Sequence, residues 1–361
     1  MPKALKITLK VVAIVLAAVV LVVGGYVAYA FIAYHRLGNM TLTDEGDAKF
    51  AAASAGVGYK MVSYNVGFGA YEDDYGFFMD GGTQSWAWSK ERLDKNLNAI
   101  VDLLKAENAD FYHLQEVDAD ATRTYPVDER AYFIDGLKDM SYVYAPNFDS
   151  PFLFYPFTQP HGASKSGIMT FSSFAVNGGE RIELPVESGV IKIVDLDRCY
   201  SKSYVSVEGG KPLVLYNFHL SAYTSDGKIA EQQLKVILSD MKTEYENGNY
   251  CVAGGDFNKD LLGDSSAYFG KSDKEYNWAQ AIPDGTFEAY DMTLTAPLDI
   301  ENPVPSSRNA DSAYHKGQFV VTIDGFVTSK NVEVVSSAVI DTGFKYSDHN
   351  PVTMTFRLKA E

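Results

Sequence analysis

NYCVAGGDFN, residues 249–258, changes character from apolar to polar within a few residues. An apolar run passes into two glycines and then into Asp256 and Asn258. The run reads as a buried strand, and the glycines mark a place where the backbone closely approaches something else. At the end of an extended strand the i, i+2 spacing puts both polar side chains on one face. An Asx turn is the bland alternative. A site that ends a strand needs neighbouring strands, and the chain contains many.

YKMVSYNVG (59–67), DFYHLQEV (110–117), GIMTFSSFAV (167–176), GVIKIVDLD (189–197), SKSYVSVEGG (201–210), KPLVLYNFHL (211–220), QFVVTIDGFVTS (318–329), VEVVSSAVID (332–341) and PVTMTFRLK (351–359) all read as strands. The Gly-Gly at 209–210 marks a hairpin turn. Two segments carry the helical period instead. In 89–108, Ser89 can cap a helix with Leu93, Leu97, Ile100, Val101 and Leu104 on one face. From about Lys228 to Tyr245, Ala230, Leu234, Ile237, Leu238 and Met241 form a second such face. Strands of both kinds with helices between them predict an α/β layered domain, and such folds collect polar groups at strand ends.

Those ends carry a distinct inventory. Asn65 precedes glycine after the first strand, a usual turn position. Glu116 ends an apolar run, where a carboxylate needs solvent, a cation or hydrogen bonds. His219 interrupts an apolar strand, and Asp324 lies inside VVTIDGFV, where a carboxylate is expensive without a partner. Asp348 and His349 stand together just before the last strand. Each signal alone is weak; the set in this order is not.

Taken together, NVG, LQEV, NFHL, GGDFN, TIDGF and SDHNPV resemble the endonuclease/exonuclease/phosphatase superfamily, the metal-dependent phosphoesterases that include pancreatic-type deoxyribonuclease and neutral sphingomyelinases. The resemblance spans about Tyr59 to the C-terminus, with GDFN and SDHNPV its most specific parts, and KSGIMTFS (165–172) looks like the family's mid-chain strand. It implies a four-layer α/β/β/α sandwich of two mixed sheets with the site at one rim. By motif, Glu116 is expected as the principal metal ligand, with Asn65 beside it and Asp348 on the metal side. Asp256 is expected to orient or deprotonate the attacking water, and Asn258 to donate to phosphoryl oxygens. His219 is expected to hydrogen-bond the phosphate or assist the leaving group, and Asp324 to hold His349. In-line displacement at phosphorus needs an oriented water, neutralised equatorial oxygens and help for the leaving oxygen. The metal expected is Mg²⁺, with Mn²⁺ or Ca²⁺ also compatible with oxygen ligands.

Composition narrows the substrate. The chain has 361 residues, 46% of them hydrophobic, enough for a large core in one domain. With 31 basic against 47 acidic residues and a net charge of −16, a general nucleic-acid backbone binder is disfavoured. A bound cation can still reverse the local charge for a phosphorylated substrate. The histidine in NFHL sets the chain apart from abasic-site endonucleases, and no WCDR signature of inositol polyphosphate 5-phosphatases surrounds Asp324. Two aromatic-rich stretches, 67–92 and 146–167, read as rim loops; Phe77, Phe78, Trp86, Trp88, Phe152 and Phe154 either pack a subdomain or form an apolar lip. His161, Lys165 and Arg198 are candidates for phosphate contacts. The two cysteines, Cys199 and Cys251, have no metal-type spacing, and their pairing is open.

The N-terminus sets the compartment. Lys3, Lys6 and Lys10 precede an uncharged run from Val11 to Tyr34, long enough to span a bilayer. The positive-inside rule places residues 1–10 in the cytoplasm and everything after the span outside. Ala28–Ala30 resembles a signal-peptidase site, but the apolar run continues past it, which favours a retained anchor. Residues 35–57 then read as a linker and 58–361 as one catalytic domain. The expected function is a metal-dependent phosphodiesterase outside the membrane, acting on a phospholipid-like or small phosphodiester. An extracellular nuclease is the alternative, and an inactive surface-binding module a third.

Overall fold

The protein is seen in a computed structural model that describes residues 2–34, 36–187, 196–222, 228–274, 276 and 278–360. Five α-helices are described: α1 (Lys3–Ala33), α2 (Lys90–Glu107), α3 (Glu129–Gly136), α4 (Lys228–Glu246) and α5 (Ser266–Phe269). The strands of one sheet are β1 (Met40–Leu42), β6 (Val176–Glu183), β7 (Cys199–Val205), β8 (Leu213–His219), β9 (Tyr250–Asp256), β13 (Asp324–Ser329) and β10 (Met292–Thr295), in that spatial order. Those of the other are β14 (Val332–Val339), β15 (Val352–Leu358), β2 (Gly58–Asn65), β3 (Phe111–Ala121), β5 (Ser164–Ser172) and β4 (Ser141–Asp149). A two-residue pair, β11 (Ser307–Arg308) with β12 (Val320–Val321), stands apart. Most of the expected strand at 189–197 lies outside the described residues.

Period-two alternation sorts the core into three layers. Met61, Phe111 and Ile168 meet Val205, Leu213, Leu215 and Val252 between the sheets. The neighbouring residues Val62, Tyr64, Tyr112 and Phe171 face outward onto Leu93, Leu97 and Ile100 of α2 and Phe133 of α3. On the far side Val214, Tyr216 and Phe218 face Leu234, Ile237, Leu238 and Met241 of α4. The result is the expected α/β/β/α sandwich. Every residue of β8 and β9 is buried because both faces of the sheet are covered. Ser89 caps α2 as expected, its Oγ accepting from the Arg92 N–H at 3.2 Å.

One parallel pair lies at the centre of each sheet, β8 beside β9 and β2 beside β3. A polar bridge crosses the otherwise apolar interlayer just behind their ends. Gln115 Nε2 donates to Asn217 Oδ1 at 2.7 Å, and Asn217 Nδ2 donates to the carbonyls of Met169 and Leu114 at 2.8 and 3.2 Å. Both side chains are fully buried, so these bonds fix how the two sheets meet.

Residues 36–57 lie along the domain: β1 pairs with β6, Phe50 bridges Phe174 and Ala53 bridges Val207. Helix α1 is long and apolar enough to cross a membrane, and most of its side chains are exposed. Cys199 and Cys251 are free and buried.

Replacing Asn217 by Ala leaves the Gln115 amide with only its longer bond to Ser63 Oγ, 3.3 Å, and opens a void between the sheets. We expect a loss of about 2–4 kcal/mol, read as a lower urea midpoint at unchanged slope. A midpoint equal to that of the parent protein would show that the bridge does not hold the layers.

Candidate active site

Three strands of the seven-stranded sheet present the first group of residues in a row. His219, Asp256 and Asp324 are direct register partners across β8, β9 and β13. The glycines before Asp256 explain themselves at this point. A Cβ on Gly255 would sit 2.1 Å from the Phe218 carbonyl oxygen, and one on Gly254 would meet Phe326 at 2.9 Å. Only glycine lets β9 pack this closely. Past the strand, Asp256 Oδ1 accepts from the Asn258 N–H at 2.8 Å, with Asn258 at φ +50°. Thus the Asx turn and the site are the same feature. One N–H of the Asn258 side chain is used on the Leu220 carbonyl at 2.8 Å.

The six-stranded sheet supplies the opposite wall. Between Leu114 and Val117 the β3–β5 register slips, and Glu116 lies at φ +57°. This bulge turns Glu116 into the cleft, the use that sheets commonly make of bulges. Asn65 ends β2 and bridges the two walls: its Nδ2 donates to Glu116 Oε1 and to Asp256 Oδ2, both at 3.1 Å. The loop before β15 brings Asp348 and His349. Ser347 Oγ pins it by donating to the Asn65 carbonyl at 2.8 Å.

His349 does not pair with its neighbour Asp348. Its Nδ1 donates to Asp324 Oδ2 at 2.8 Å, and Ser306 Oγ donates to the same oxygen at 2.7 Å. Asp324 Oδ1 is buried with no hydrogen-bond partner among the described residues. His349 Nε2 lies 3.7 Å and His219 Nε2 3.5 Å from Asp256 Oδ2.

Charge separates the two histidines. Burial works against an imidazolium at His349, but the Asp324 carboxylate, with Asp348 and Asp256, outweighs it and pushes the ring up to about 10. His219 goes the other way: burial, then the charges of Arg198 and His349, hold it well below the ordinary histidine range. So at neutral pH His349 carries a proton and His219 is a neutral ring. Burial, then Asp324, pushes Asp256 up to about 7. Glu116 is raised by burial and then by Asp348, and Asp348 is itself raised by burial. Glu116 and Asp348 both keep part of their surface open to the cleft.

Among the described residues, two groups of side chains in the cleft could hold a cation. Asp256, Asp324 and His349 offer ligand atoms within 4.8 Å of one another. A protonated His349 has no lone pair to give, which counts against this group. Glu116 and Asp348 offer carboxylate oxygens of the type hard cations take, and they repel each other without one; Asn65, expected beside the metal, gives its N–H groups to Glu116 and Asp256 and its Oδ1 to the Gly67 N–H at 3.0 Å.

Glu116, His219, Asp256, Asn258, Asp348 and His349 line one cleft of about 510 Å³, with Asn65 and Asp324 immediately behind it. Arg198 also lines it and donates to the His219 carbonyl at 3.4 Å. His161 lines it among Phe77 and Phe78, held neutral by burial and the Arg123 charge, which pull it down to about 3. Lys165 is exposed and is not part of the lining. Phe77 and Phe78 form the cleft wall, whereas Trp86 packs on Tyr125 and Trp88 on Tyr75. The aromatic loops therefore do both things expected of them.

Two lining arginines had no sequence signal. Arg123 is held by Asp118 through two bonds, Nε to Oδ2 at 2.9 Å and Nη2 to Oδ1 at 2.8 Å, and lies 3.7 Å over the Phe68 ring. Arg308 is buried and donates to the carbonyls of Ser312 and Glu72, both at 3.0 Å. Each sits in an ordinary polar loop, ATRTYP and SSRNAD, that nothing local distinguishes.

Known structures share this architecture. An endonuclease/exonuclease/phosphatase from Beutenbergia cavernae aligns over 84% of this chain and 72% of its own at 18% identity, TM-score 0.54. A family protein from Leptotrichia buccalis aligns over 83% and 99% at 14% identity, TM-score 0.55. ANGEL2, a 2′,3′-cyclic phosphatase, aligns over 89% and 99% at 14% identity, TM-score 0.53. No curated protein sequence matches the chain. Residues 62–349 match the endonuclease/exonuclease/phosphatase family, so the chain belongs to that family of hydrolases acting on phosphoester bonds.

Proposed function

We propose that the protein is a metal-dependent phosphodiesterase whose preferred substrate is a phospholipid-like or small phosphodiester. The observation that carries this reading is the setting of Asp256. It lies between a neutral His219 and a protonated His349, across the cleft from Glu116 and Asp348, with its own carboxyl near neutrality. A base poised near the working pH suits proton abstraction from water.

The family is generally dependent on a divalent metal. Glu116 and Asp348, beside Asn65, would hold a cation of the Mg²⁺ kind, and its charge would neutralise that of the phosphoryl oxygens. Asp256 accepts a proton from the attacking water. The water oxygen forms its bond to phosphorus as the bond to the opposite, departing oxygen breaks. His349, kept protonated by Asp324, gives its Nε2 proton to that oxygen, releasing an alcohol and a phosphomonoester. His219 and the free N–H of Asn258 hydrogen-bond the remaining phosphoryl oxygens.

The lining favours a partly apolar substrate. Phe77, Phe78, Phe148, Leu153 and Tyr155 form one side of the cleft. A nuclease reading draws on Arg123, Arg198 and Arg308, but Arg123 is committed to Asp118 and Arg308 to backbone carbonyls. The proposed setting is a single-pass membrane protein with its catalytic domain outside, α1 being the anchor.

Asp256→Asn should lower hydrolysis of bis-p-nitrophenyl phosphate about a thousandfold. EDTA should abolish the parent activity and Mg²⁺ restore it. A panel of plasmid DNA, sphingomyelin and inositol phosphates, with the Asp256→Asn protein as blank, ranks the substrates; DNA cleavage without lipid turnover reverses the preference for lipid over nucleic acid. In metal-free protein, Asp324→Asn removes the group that holds the His349 proton. The ring should therefore titrate below the parent's value of about 10, seen in its C–H resonances. An unchanged titration contradicts the assigned pairing.

A further inference from the structure

The catalytic cleft does not end at its own domain. Tyr26 of α1 is part of its lining. Two tyrosines tie the helix to the loop 152–157. Tyr26 Oη donates to the Phe152 carbonyl at 3.3 Å and accepts from the Phe154 N–H at 3.4 Å, and Tyr29 Oη accepts from the Phe152 N–H at 3.1 Å. The Tyr26 and Phe154 rings meet edge to face at 5.1 Å. Beyond them Tyr34 Oη donates to Asp197 at 3.1 Å. The cleft mouth is thus fixed to the C-terminal turns of the apolar helix.

That contact sets a depth. An α-helix rises about 1.5 Å per residue, so Tyr29 lies roughly 27 Å along the axis from Val11, close to the ~30 Å of a hydrocarbon core. Tyr26 and Tyr29 then stand at the outer interface, where tyrosines concentrate. The loop bonded to them must lie at the same level. Its sequence, FLFYPF, carries no charge. Phe154 is 49%, Tyr155 62% and Phe157 84% exposed, a cost that a protein in water rarely accepts in one short segment.

The exposed rings are continuous with the interior. Phe157 lies 5.8 Å from Tyr155, Tyr155 lies 5.7 Å from Phe78, and Phe78 lies 4.8 Å from Phe77. Phe77 then reaches Phe68 at 6.0 Å, and Arg123 covers the Phe68 ring. An unbroken aromatic wall runs from the loop tip to the arginine at the catalytic end.

We infer that the Phe152–Phe157 loop, with Tyr26, is a membrane-seated port through which the site draws phospholipid from the same bilayer that holds α1. The loop dips into the interface, the lipid's glycerol and upper acyl segments lie along the ring wall, and its phosphodiester reaches Asp256 and His349. The acidic surface of the protein, net −16, leaves apolar insertion rather than cationic attraction as the seating force. The inference rests on the phosphodiesterase reading above and adds to it the source of the substrate.

The test uses the full chain reconstituted into vesicles of equimolar phosphatidylethanolamine, phosphatidylglycerol and sphingomyelin. The two native cysteines are buried, so a nitroxide placed through Phe157→Cys labels one site selectively. Its collision rates with oxygen and with a water-soluble nickel chelate should place the label within the bilayer interface. A label in bulk water overturns the port, whatever the activity. The Phe157→Glu protein should lose about tenfold of vesicle-lipid hydrolysis, as expected from unseating a large ring, and keep the parent rate on bis-p-nitrophenyl phosphate. Lipid hydrolysis equal to the parent's overturns the port even with a seated label. A seated label in a protein that hydrolyses no ester overturns the phosphodiesterase reading and leaves the seating intact.

Discussion

Everything at the centre of this molecule depends on carboxylates converging where water is scarce. Glu116, Asp256 and Asp348 face a common cleft with Asp324 immediately behind it, and burial raises Glu116, Asp256 and Asp348 above their ordinary range. The protonated His349 ring lies 2.8 Å from Asp324 and 3.7 Å from Asp256. Like charges gathered this way cost stability unless something positive joins them. At Glu116 and Asp348 burial outweighs the nearby charges of Arg123, Arg308 and His349, so these two carboxylates are left under-compensated. Asn65, donating to both Glu116 and Asp256, holds the two walls against their repulsion.

The fold supplies the convergence by ordinary means. A parallel pair at the centre of each sheet brings two sets of strand ends to one rim. Gln115 and Asn217 fix the sheets relative to each other immediately behind that rim. The bulge in β3 aims Glu116, and the glycines of β9 allow the close packing that leaves Asp256 at the edge. Each device is local, and together they shape the cleft.

Much of this is legible in the sequence. The strands are visible because alternation and short apolar runs survive in residues such as Met61–Val62 and Leu213–Val214, whose neighbours face different layers. The site is visible because a polar residue at the end of an apolar run is conspicuous, as with His219, Asp256 and Asp324. Adjacency misleads: Asp348 and His349 are chain neighbours, yet the histidine's partner is Asp324, 25 residues away. Arg123 and Arg308 are invisible because an arginine in a polar loop is normally solvated. Only the tertiary fold brings Asp118 and the Glu72 and Ser312 carbonyls to them. Lys165 matches a motif, but its strand turns it to solvent. The tie between α1 and the cleft rests on tyrosines inside an apolar run, which read equally well as plain membrane anchors.

The most direct test of the carboxylate cluster is the thermal midpoint of the parent and Glu116→Gln proteins, each in EDTA and in Mg²⁺. Glutamine keeps a hydrogen-bond acceptor for Asn65 and removes the charge facing Asp348. If repulsion governs the cleft, the variant melts higher than the parent in EDTA. Saturating Mg²⁺ should then raise the parent by about 2–4 °C or more and the variant by much less. A variant that melts lower in EDTA and gains as much from Mg²⁺ as the parent would show that Glu116 is structural and that the cation is held elsewhere.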